Sequence, residues 1–458
     1  MMMMSQLAHA LGATLHGKDV LMTGVSKDTR DIQAGDLYVA LKGERFDGHQ
    51  FVAEASESGA VGALVSASVA LDVPQVQVED TRIALGQLAA HWRQTWGQQQ
   101  TAGKLVAITG SNGKTSVKEM VSKILSDHAG AAAVHSTKGN LNNDIGMPMT
   151  LLELSKEHKF AVIEMGANHV GEIDYLTRIA RPDVALVNNV GPAHLEGFGS
   201  LKNISRAKAE IYNGLSDDGI AVLNMDDVFS PFWVEYCADM NTIGFSMIDD
   251  KADVYAELIE ADRYRVTVRS EQADLALKVP GKHNVMNALA AIAVTYSLGL
   301  SLQEITSSLS TFENIHGRLT IKNSDAGYKV IDDTYNANPL SVSAAIDVLA
   351  AMEGDTVLVL GDMAELGSDA EKLHAEIGAK AKKAGISQLF VTGRLSESTA
   401  DAFGENGFYF KNKNELIKAL KKALTGGETV LIKGSRSAAM EEVVERILTQ
   451  QNNNKRVN

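Results

Sequence analysis

A phosphate-binding loop is the feature that most constrains this chain. The apolar run 105–109 is typical of a buried strand, and a loop with two glycines leads into Lys114-Thr115 at the start of helical apolar spacing. Such a loop turns backbone N–H groups onto an anion, while Lys114 adds a mobile charge and Thr115 a hydroxyl suited to Mg²⁺. The full Walker pattern needs glycine where this chain has Ile108, so the match is to the shorter pattern T-G-x-x-G-K-T. An ordinary strand–turn–helix that happens to carry a lysine is the alternative.

Length and composition limit what the rest of the chain can be. A length of 458 residues predicts about three domains, since one hydrophobic core organises roughly 150 residues. The formal charge of -14 argues against general binding to a nucleic acid backbone. The one cysteine, Cys237, allows neither an internal disulfide nor a cysteine metal cluster, which indicates the cytoplasm. No apolar stretch reaches about 18 residues and the first residues lack a basic segment, so we expect a soluble protein that is neither exported nor membrane-spanning.

The first 80 residues predict a small α/β unit of short elements. We expect helices at 4–11 and 50–58 and strands near 36–41, 61–65 and 75–78. Two polar segments, 26–30 and 42–49, could hold a polar ligand, with Arg30 and Arg45 for phosphate groups and carboxylates for sugar or base donors. Solvated turns are the alternative interpretation of both segments.

Strands alternate with helices around and beyond the phosphate loop, which predicts a mostly parallel sheet. A helix at 81–99 precedes the loop, and buried strands are expected at 160–164, ending in Glu164, and at 184–190, followed by His194. Ligands of open parallel sheets gather at the carboxyl ends of strands, so both side chains should face the same crevice as the loop. A buried carboxylate is costly unless paired, and a metal beside nucleotide phosphates would pair with it. An exposed strand end and an ordinary loop histidine are the alternatives.

Later patterns extend this architecture. A helix at 200–214 contains Ala207-Lys208, and alternation over 256–279 predicts antiparallel strands added to the sheet. Asn284 and Asn287 share one face of the next helix, where they could pair with an adenine edge, and helix capping is the alternative for Asn284. Beyond residue 316, apolar runs alternate with helical patterns and predict a second doubly wound unit; the runs are 328–332, 356–360, 388–392 and 429–432.

Six of these features occur in the order that one family shows. They are the phosphate loop, Glu164, His194, the Ala207-Lys208 pair, the helix start His283-Asn284-x-x-Asn287 and the Gly317-Arg318 segment. Over nearly its whole length the sequence therefore resembles the Mur ligases, the ATP-dependent amide-forming enzymes of peptidoglycan precursor synthesis. The resemblance implies an α/β fold with three domains: a UDP-binding domain at 1–80, a central P-loop ATPase domain with a mostly parallel sheet at 81–316, and a Rossmann-like ligase domain at 317–458.

Further motifs narrow the type within the family. The segments 333–339, 361–367 and 433–437, with Asp28-Thr29-Arg30 and Phe46-Asp47-Gly48-His49, are similar to those of members that add D-alanyl-D-alanine to UDP-N-acetylmuramoyl-tripeptide. In the implied reaction, ATP phosphorylates the tripeptide carboxylate and the dipeptide amine then attacks the acyl phosphate. The member that attaches the third amino acid, a ligase like folylpolyglutamate synthase, and a non-catalytic ATP-gated switch are the alternatives.

The resemblance also implies roles for individual residues. The catalytic group comprises Lys114, Glu164, His194, Lys208 and Arg318. Nucleotide binding falls to Thr109, Gly110, Ser111, Asn112, Gly113, Lys114 and Thr115 in the loop, and to Asn284, Asn287, Arg318, Asp333 and Asn336 beyond it. Substrate binding falls to Ser26, Asp28, Arg30, Arg45, Asp47 and His49 for the UDP group, to Asn140, Asn142 and Asn143 for the peptide, and to Asn338 and Ser435 for the dipeptide. We expect a monomer.

Mg²⁺ is the implied metal, with Thr115, Glu164, His194 and Lys208 as its ligands. An ammonium about 4 Å from a divalent cation would be repelled by roughly 8 kcal/mol at an effective dielectric near 20, so Lys208 cannot act there as an ordinary lysine. The resemblance implies that Lys208 is carbamylated by CO2, which turns the cation into an anionic ligand. A solvated helix lysine is the alternative.

Overall fold

Three larger β-sheets follow one another along the described part of the chain, each flanked by helices, and residues 2–3 and 21–22 form a further two-stranded sheet. The computed structural model describes residues 1–43, 46–99, 103–260, 263–313, 315 and 317–449. The predicted α/β class with mostly parallel sheets is confirmed. Among the described residues, no helix is both long enough and apolar enough to cross a bilayer.

The first sheet is small and mixed. Its region contains β1 (Met2–Met3), α1 (Met4–Ala10), β2 (Thr14–His16), β3 (Leu21–Met22), β4 (Gly24–Ser26), β5 (Asp36–Val39), α2 (Val52–Glu57), β6 (Gly62–Val65) and β7 (Gln75–Gln77). Strands β4 to β7 are parallel neighbours in that order, β2 joins β7 antiparallel, and β1 pairs with β3 separately. The two predicted helices and three predicted strands are confirmed, whereas β1 to β4 have two or three residues each, too few for a periodic pattern.

The central sheet has nine strands and carries the phosphate loop. Its region contains α3 (Thr81–Gln99), β8 (Lys104–Thr109), α4 (Lys114–Ala129), β9 (Val134–Ser136), α5 (Gly146–Leu152), β10 (Phe160–Glu164), α6 (Glu172–Ala180), β11 (Val184–Val187), α7 (Leu195–Phe198), α8 (Leu201–Ala209), β12 (Ile220–Asn224), α9 (Ser230–Tyr236), β13 (Asn241–Ser246), β14 (Val254–Glu260), β15 (Arg263–Val268), β16 (Glu271–Ala276), α10 (Lys282–Ser297) and α11 (Leu302–Leu309). The strand order is β16-β15-β14-β13-β12-β11-β8-β10-β9, with the β14-β15-β16 pairs antiparallel as predicted and the other neighbours parallel.

The last sheet has six strands in the order β17-β18-β22-β19-β20-β21, parallel except for β17. Its region contains β17 (Thr320–Asn323), β18 (Lys329–Asp333), α12 (Pro339–Ala350), β19 (Thr356–Gly361), α13 (Ala370–Lys383), β20 (Gln388–Thr392), α14 (Glu397–Phe403), β21 (Gly407–Phe410), α15 (Lys413–Ala423), β22 (Thr429–Lys433) and α16 (Glu441–Leu448). The four predicted apolar strands of this unit are confirmed as β18, β19, β20 and β22.

Strand β8 is buried on both faces, which explains its uninterrupted apolar run. Leu105 and Ala107 belong to one core cluster, with residues of α3, α5 and α6, and Val106 and Ile108 belong to another, with residues of α4, α10 and α11. The first of these clusters also includes Leu37 of β5. The first two sheets therefore share one core, which fixes the N-terminal unit relative to the strand that presents the phosphate loop.

Two predicted elements end earlier than expected. Strand β11 stops at Val187 because Asn188 and Asn189 turn toward the phosphate loop, where each amide donates to the Asn112 carbonyl at 2.9 and 3.1 Å. The predicted helix at 200–214 is α-helical only to Ala209 and continues as a 3₁₀ turn.

Candidate active site

The phosphate loop lies between the carboxyl end of β8 and the first turn of α4. Gly113 has φ 75°, and a Cβ there would come within 2.4 Å of the Asn287 amide oxygen, so only glycine fits. The Lys114 ammonium folds over the loop and donates to the Gly110 carbonyl at 2.8 Å. Burial lowers the pKa of Lys114, while the Glu164 carboxylate opposes that shift. The loop thus presents a buried cation beside backbone N–H groups, as an anion site requires.

Glu164 ends β10, the strand next to β8, and is only 3% exposed. Both carboxylate oxygens are hydrogen-bonded: one accepts from the Thr115 hydroxyl at 2.8 Å, the other from the Asn142 amide at 2.7 Å. The expected crevice at the strand ends is therefore formed for Glu164. Asn142, which we predicted for peptide binding, reaches this carboxylate from the loop after β9.

His194 follows β11 and lies in the left-handed region with φ 55°. Its Nδ1 contacts the carboxylate of Glu365, a residue of the C-terminal unit that also has positive φ. Burial lowers the pKa of His194, and the charges of Lys114 and Lys208 act in the same direction. The histidine is thus near both lysines, as the strand-end argument predicts, but sequence reasoning missed its partner Glu365.

Lys208 is buried in α8 and 3% exposed, which makes the solvated-lysine alternative wrong. Its ammonium lies 5.9 Å from the centre of the Phe198 ring. Burial, followed by the charge of Lys114, lowers the pKa of Lys208 to about 7. Burial among apolar neighbours thus favours the neutral, nucleophilic form of this amine more than in an exposed lysine.

The side chains present suit Mg²⁺ held largely by phosphate oxygens. Within the described ranges, no three His, Cys, Asp or Glu side chains are grouped so that they could hold a metal by themselves. Thr115 and Glu164 place a hydroxyl and a carboxylate in contact, and Mg²⁺ typically takes one or two such side chains and completes its shell with phosphates and water. His194 offers nitrogen, a less suitable donor, and Lys208 as an amine has no oxygen to offer.

Asn284 and Asn287 lie on α10 behind the phosphate loop, and both are buried. The Asn284 amide donates to the Pro280 carbonyl at 2.7 Å, and Asn287 accepts from the Asn188 amide at 2.9 Å. The capping alternative for Asn284 is wrong, because the helix begins at Lys282 with Gly281 in the cap position. Their adenine contacts stay a prediction.

The C-terminal unit reaches the phosphate loop with two side chains. The Arg318 guanidinium donates to the Thr115 hydroxyl at 2.9 Å and stacks 4.3 Å from the centre of the Tyr335 ring. The Asn338 amide donates to the Asn112 side-chain oxygen at 2.7 Å. The cleft between the central and C-terminal units is therefore closed around the loop.

Other predicted residues of the C-terminal unit lie further back in this cleft. Asp333 accepts from the Lys433 ammonium at 2.6 Å, and the same ammonium donates to the Asn336 carbonyl at 2.8 Å. The Ser435 hydroxyl lies 3.2 Å from that of Ser437. Sequence reasoning missed the role of Lys433, and the signal that it offered is a lysine that ends a buried strand.

The predicted UDP-binding residues lie in the N-terminal unit, and they form two local clusters. Arg30 donates to Asp28 from Nε at 2.8 Å, and the Ser26 hydroxyl donates to the Asp28 carbonyl at 3.0 Å. The Asp47 carboxylate contacts His49 Nδ1 at 2.7 Å, and this contact, with the His49 backbone N–H, lowers the pKa of Asp47. Arg45 lies outside the described residues.

The loop after β9 contains local hydrogen bonds made by its own side chains and backbone. The Asn143 side chain accepts from Gly146 N at 2.8 Å at the start of α5, and the Asn140 carbonyl accepts from Asn142 N at 2.8 Å. Peptide contacts of Asn140, Asn142 and Asn143 stay predictions.

Comparison with known proteins agrees with this geometry. Family models match residues 21–93 (Mur ligase family, catalytic domain), 108–295 (Mur ligase middle domain) and 317–436 (Mur ligase, glutamate ligase domain). A relative from Escherichia coli K12 named UDP-N-acetylmuramoyl-tripeptide--D-alanyl-D-alanine ligase is 44% identical over 97% of this chain and 98% of its own.

Two solved structures have the same architecture. The MurF crystal structure from Acinetobacter baumannii superposes with a TM-score of 0.90 at 35% identity, covering 97% of this chain and 98% of that one. The MurF ligase from Thermotoga maritima in complex with ADP gives 0.81 at 29% identity, with 93% and 97% covered. Family models match all three regions, and the identity with these relatives extends over the full length of the chain. The chain therefore belongs to the Mur ligase family, in its MurF group.

Proposed function

We propose that this chain is an ATP-dependent ligase of peptidoglycan precursor synthesis that joins D-alanyl-D-alanine to UDP-N-acetylmuramoyl-tripeptide. The relatives that match over the full length carry the name of this ligase. The observation that carries the proposal is the contact of Arg318 with Thr115, because it brings a second cation from the C-terminal unit to the phosphate loop. A site that only binds nucleotide has no need of that second cation.

The chemistry follows from the poor reactivity of a carboxylate. Its oxygen becomes a leaving group once phosphorylated, and phosphoryl transfer depends on positioning and on neutralising charge. Lys114 and Arg318 supply positive charge from opposite walls of the cleft. Mg²⁺, when bound through Thr115 and Glu164, would add further neutralising charge. The closed cleft would exclude water until the dipeptide amine attacks the acyl phosphate and phosphate leaves.

Lys208 is proposed to act as a carbamate. The neutral amine adds to CO2, a C–N bond forms, and a proton is released, which leaves an N-carboxylate in place of the ammonium. Support comes from the complete burial of the amine and from its pKa of about 7. The carbamate would provide oxygen donors near Lys114 and His194, where an ammonium would repel a metal ion. His194 would complete this predicted ligand set.

The remaining site assignments are proposals of the same kind. For the nucleotide, Asn284 and Asn287 would contact the adenine and Asp333 would contact the ribose. Asn336 would lie at the edge of this nucleotide subsite. The uridine end of the other substrate would bind at Ser26, Asp28, Arg30, Arg45, Asp47 and His49. The tripeptide would pass Asn140, Asn142 and Asn143 toward the phosphate loop, and Asn338 and Ser435 would contact the dipeptide.

We also propose domain boundaries at 80/81 and 316/317 and a cytoplasmic monomer. Each region between those boundaries contains one of the three larger sheets in full, which supports the division. Cys237 is free and buried, which suits a reducing compartment.

Mass spectrometry of the product formed from UDP-tripeptide, ATP and D-alanyl-D-alanine tests the proposed function. We expect the UDP-pentapeptide with stoichiometric phosphate release. Phosphate release stimulated instead by a diamino acid with UDP-dipeptide, or by folate and glutamate, would favour the other ligases. ATP turnover without an amide product would favour the switch.

A further inference from the structure

Lys118 is a buried lysine that none of the roles above uses. It lies on α4 one turn beyond Lys114 and is 2% exposed. Its ammonium donates to the Thr137 carbonyl at 2.7 Å, and the Glu119 carboxylate lies 2.7 Å away. An apolar side chain would fill this position without the desolvation that a buried ammonium suffers, so its contacts have to explain its presence.

Thr137 is the first residue after β9 and begins the loop 137–145, which we call the asparagine loop. Its hydroxyl accepts a hydrogen bond from the backbone N–H of Glu164 at 2.9 Å, and its own N–H donates to the Val162 carbonyl at 3.0 Å. Further along the same loop, the Asn142 amide donates to the Glu164 carboxylate at 2.7 Å. One loop therefore holds Glu164 by both its main chain and its side chain.

Lys118 anchors that loop from the phosphate-binding helix, and it differs from the other anchors in burial. Lys138 pairs with Glu153 at 2.7 Å, and Arg82 pairs with Asp144, but both cations are more than half exposed. Exposed pairs are screened by water and hold a loop weakly. The one buried cation among these three anchors is Lys118, next to the residue that contacts Glu164.

We propose that Lys118 is a positioning residue that couples the phosphate-binding helix to the asparagine loop. Its ammonium fixes Thr137, Thr137 fixes the main chain of Glu164, and the ordered loop holds Asn142 against the Glu164 carboxylate. This inference rests on the proposed function for its substrate, because the asparagine loop is where the tripeptide is proposed to pass. Phosphate binding itself uses Lys114 and the loop N–H groups, which Lys118 does not touch.

Lys118→Met tests the coupling, because methionine keeps the length of the side chain and removes the ammonium. We expect faster amide hydrogen exchange in residues 137–145, a KM for UDP-tripeptide raised about tenfold or more, and affinity for an ATP analogue, measured without Mg²⁺ so that the Glu164 metal contact plays no part, within about twofold of the wild type. Lys118→Arg should restore most of the protection and of the KM, because a cation again reaches Thr137. Lys123→Met is the matched control, since Lys123 is on the same helix and pairs with Asp127 away from the loop.

Thr137→Val tests the same coupling through a different residue if Lys118→Met fails to fold. It keeps the carbonyl that Lys118 contacts and removes the hydroxyl that accepts from Glu164 N, so it should also raise the KM for UDP-tripeptide and leave ATP-analogue affinity intact. Unchanged hydrogen exchange of the asparagine loop in Lys118→Met, or equal weakening of ATP-analogue and UDP-tripeptide binding, would overturn the inference. Failure of the wild type to form the pentapeptide would instead overturn the proposed function, and the exchange measurement would still test the coupling.

Discussion

The guanidinium of Arg318 donates a hydrogen bond to the hydroxyl of Thr115 at 2.9 Å, although Arg318 precedes the first strand of the C-terminal sheet and Thr115 lies in α4 of the central unit. Tyr335 stacks against the guanidinium and fixes its plane. Under the proposed function, this contact aims a charged group of the C-terminal unit at the terminal phosphate of a bound triphosphate. Domain closure would then assemble the charged site.

Arg318→Ala should lower kcat/KM for ATP by about 10² to 10³, the effect of removing one preorganised charge from a transition state. Arg318→Lys should recover little, because a lysine lacks the planar fork that pairs with phosphate and stacks on Tyr335. Steady-state kinetics with saturating UDP-tripeptide and dipeptide measures both. Arg446→Ala is the control, since Arg446 pairs with Glu442 on α16 away from the cleft. A kcat/KM of Arg318→Ala within twofold of the wild type would show that Arg318 does not take part in the reaction.

Residues at strand ends could be found from the sequence because a local apolar run fixes where the strand stops. Glu164 is located in this way, and Lys114 and Thr115 are located by the loop motif that follows the neighbouring strand, so the contact of Glu164 with Thr115 follows from the pairing of two parallel strands. Glu365 could not be found, because its contact with His194 depends on how two separate units pack. No local periodicity carries that information.

Side-chain direction was the second limit of sequence reasoning. Asn142 is predicted to contact the peptide, and nothing in its sequence neighbourhood indicates that its amide donates to Glu164. Lys118 is of a residue type that is usually exposed on helices, but it lies on the buried face of α4, where its ammonium contacts the segment after β9. The fold class itself could be predicted, because alternating strand and helix patterns persist over hundreds of residues.

The variant Asn338→Ser should keep the helix cap that Asn338 provides and remove the contact that Asn338 makes across the cleft. Asn338 caps α12 by accepting from Ser341 N at 2.9 Å, and its amide also donates to Asn112 across the cleft. Serine is an equally good cap but too short to reach Asn112, so stability should fall by no more than about 1 kcal/mol. Small-angle scattering with ATP analogue and both substrates should then show less compaction than in the wild type.

Asn412→Ser is the control for that experiment, because Asn412 caps α15 by accepting from Glu415 N and makes no contact across the cleft among the bonds described. It should compact as the wild type does. Equal compaction of Asn338→Ser and Asn412→Ser would show that the contact with Asn112 does not support closure.

Lys208→Met should lower kcat by about 10² or more, because the variant cannot form the carbamate that we propose. Depleting CO2 should inactivate the wild type reversibly, and added bicarbonate should restore it while leaving Lys208→Met unchanged. A ¹³C NMR signal from labelled bicarbonate, present in the wild type and absent in the variant, reports the modification independently of activity. Lys202→Met is the control, since Lys202 is exposed on the same helix.

His135 and His158 make stability depend on pH through a stacked pair of rings 5.0 Å apart. The His135 ring donates from Nε2 to the Thr150 carbonyl at 2.8 Å, and burial lowers the pKa of both histidines below the ordinary value of about 6.5. As the pH falls through 6.5, the unfolded chain therefore binds protons before the folded one does. The contribution of these two histidines to the free energy of unfolding is consequently fully present above that pH and is lost as the pH falls below it.

His135→Gln should reduce this dependence, because the glutamine amide can still donate to the Thr150 carbonyl and does not titrate. We expect the fall in Tm between pH 7.5 and 5.5 to be smaller by roughly 2 to 4 °C than in the wild type, the shift that about 1 kcal/mol produces in a domain of this size. Differential scanning calorimetry at the two pH values measures it. His9→Gln, at an exposed position of α1, should leave the fall in Tm as it is in the wild type. If His135→Gln loses as much Tm on acidification as His9→Gln does, the stacked pair does not contribute to the acid sensitivity of the fold.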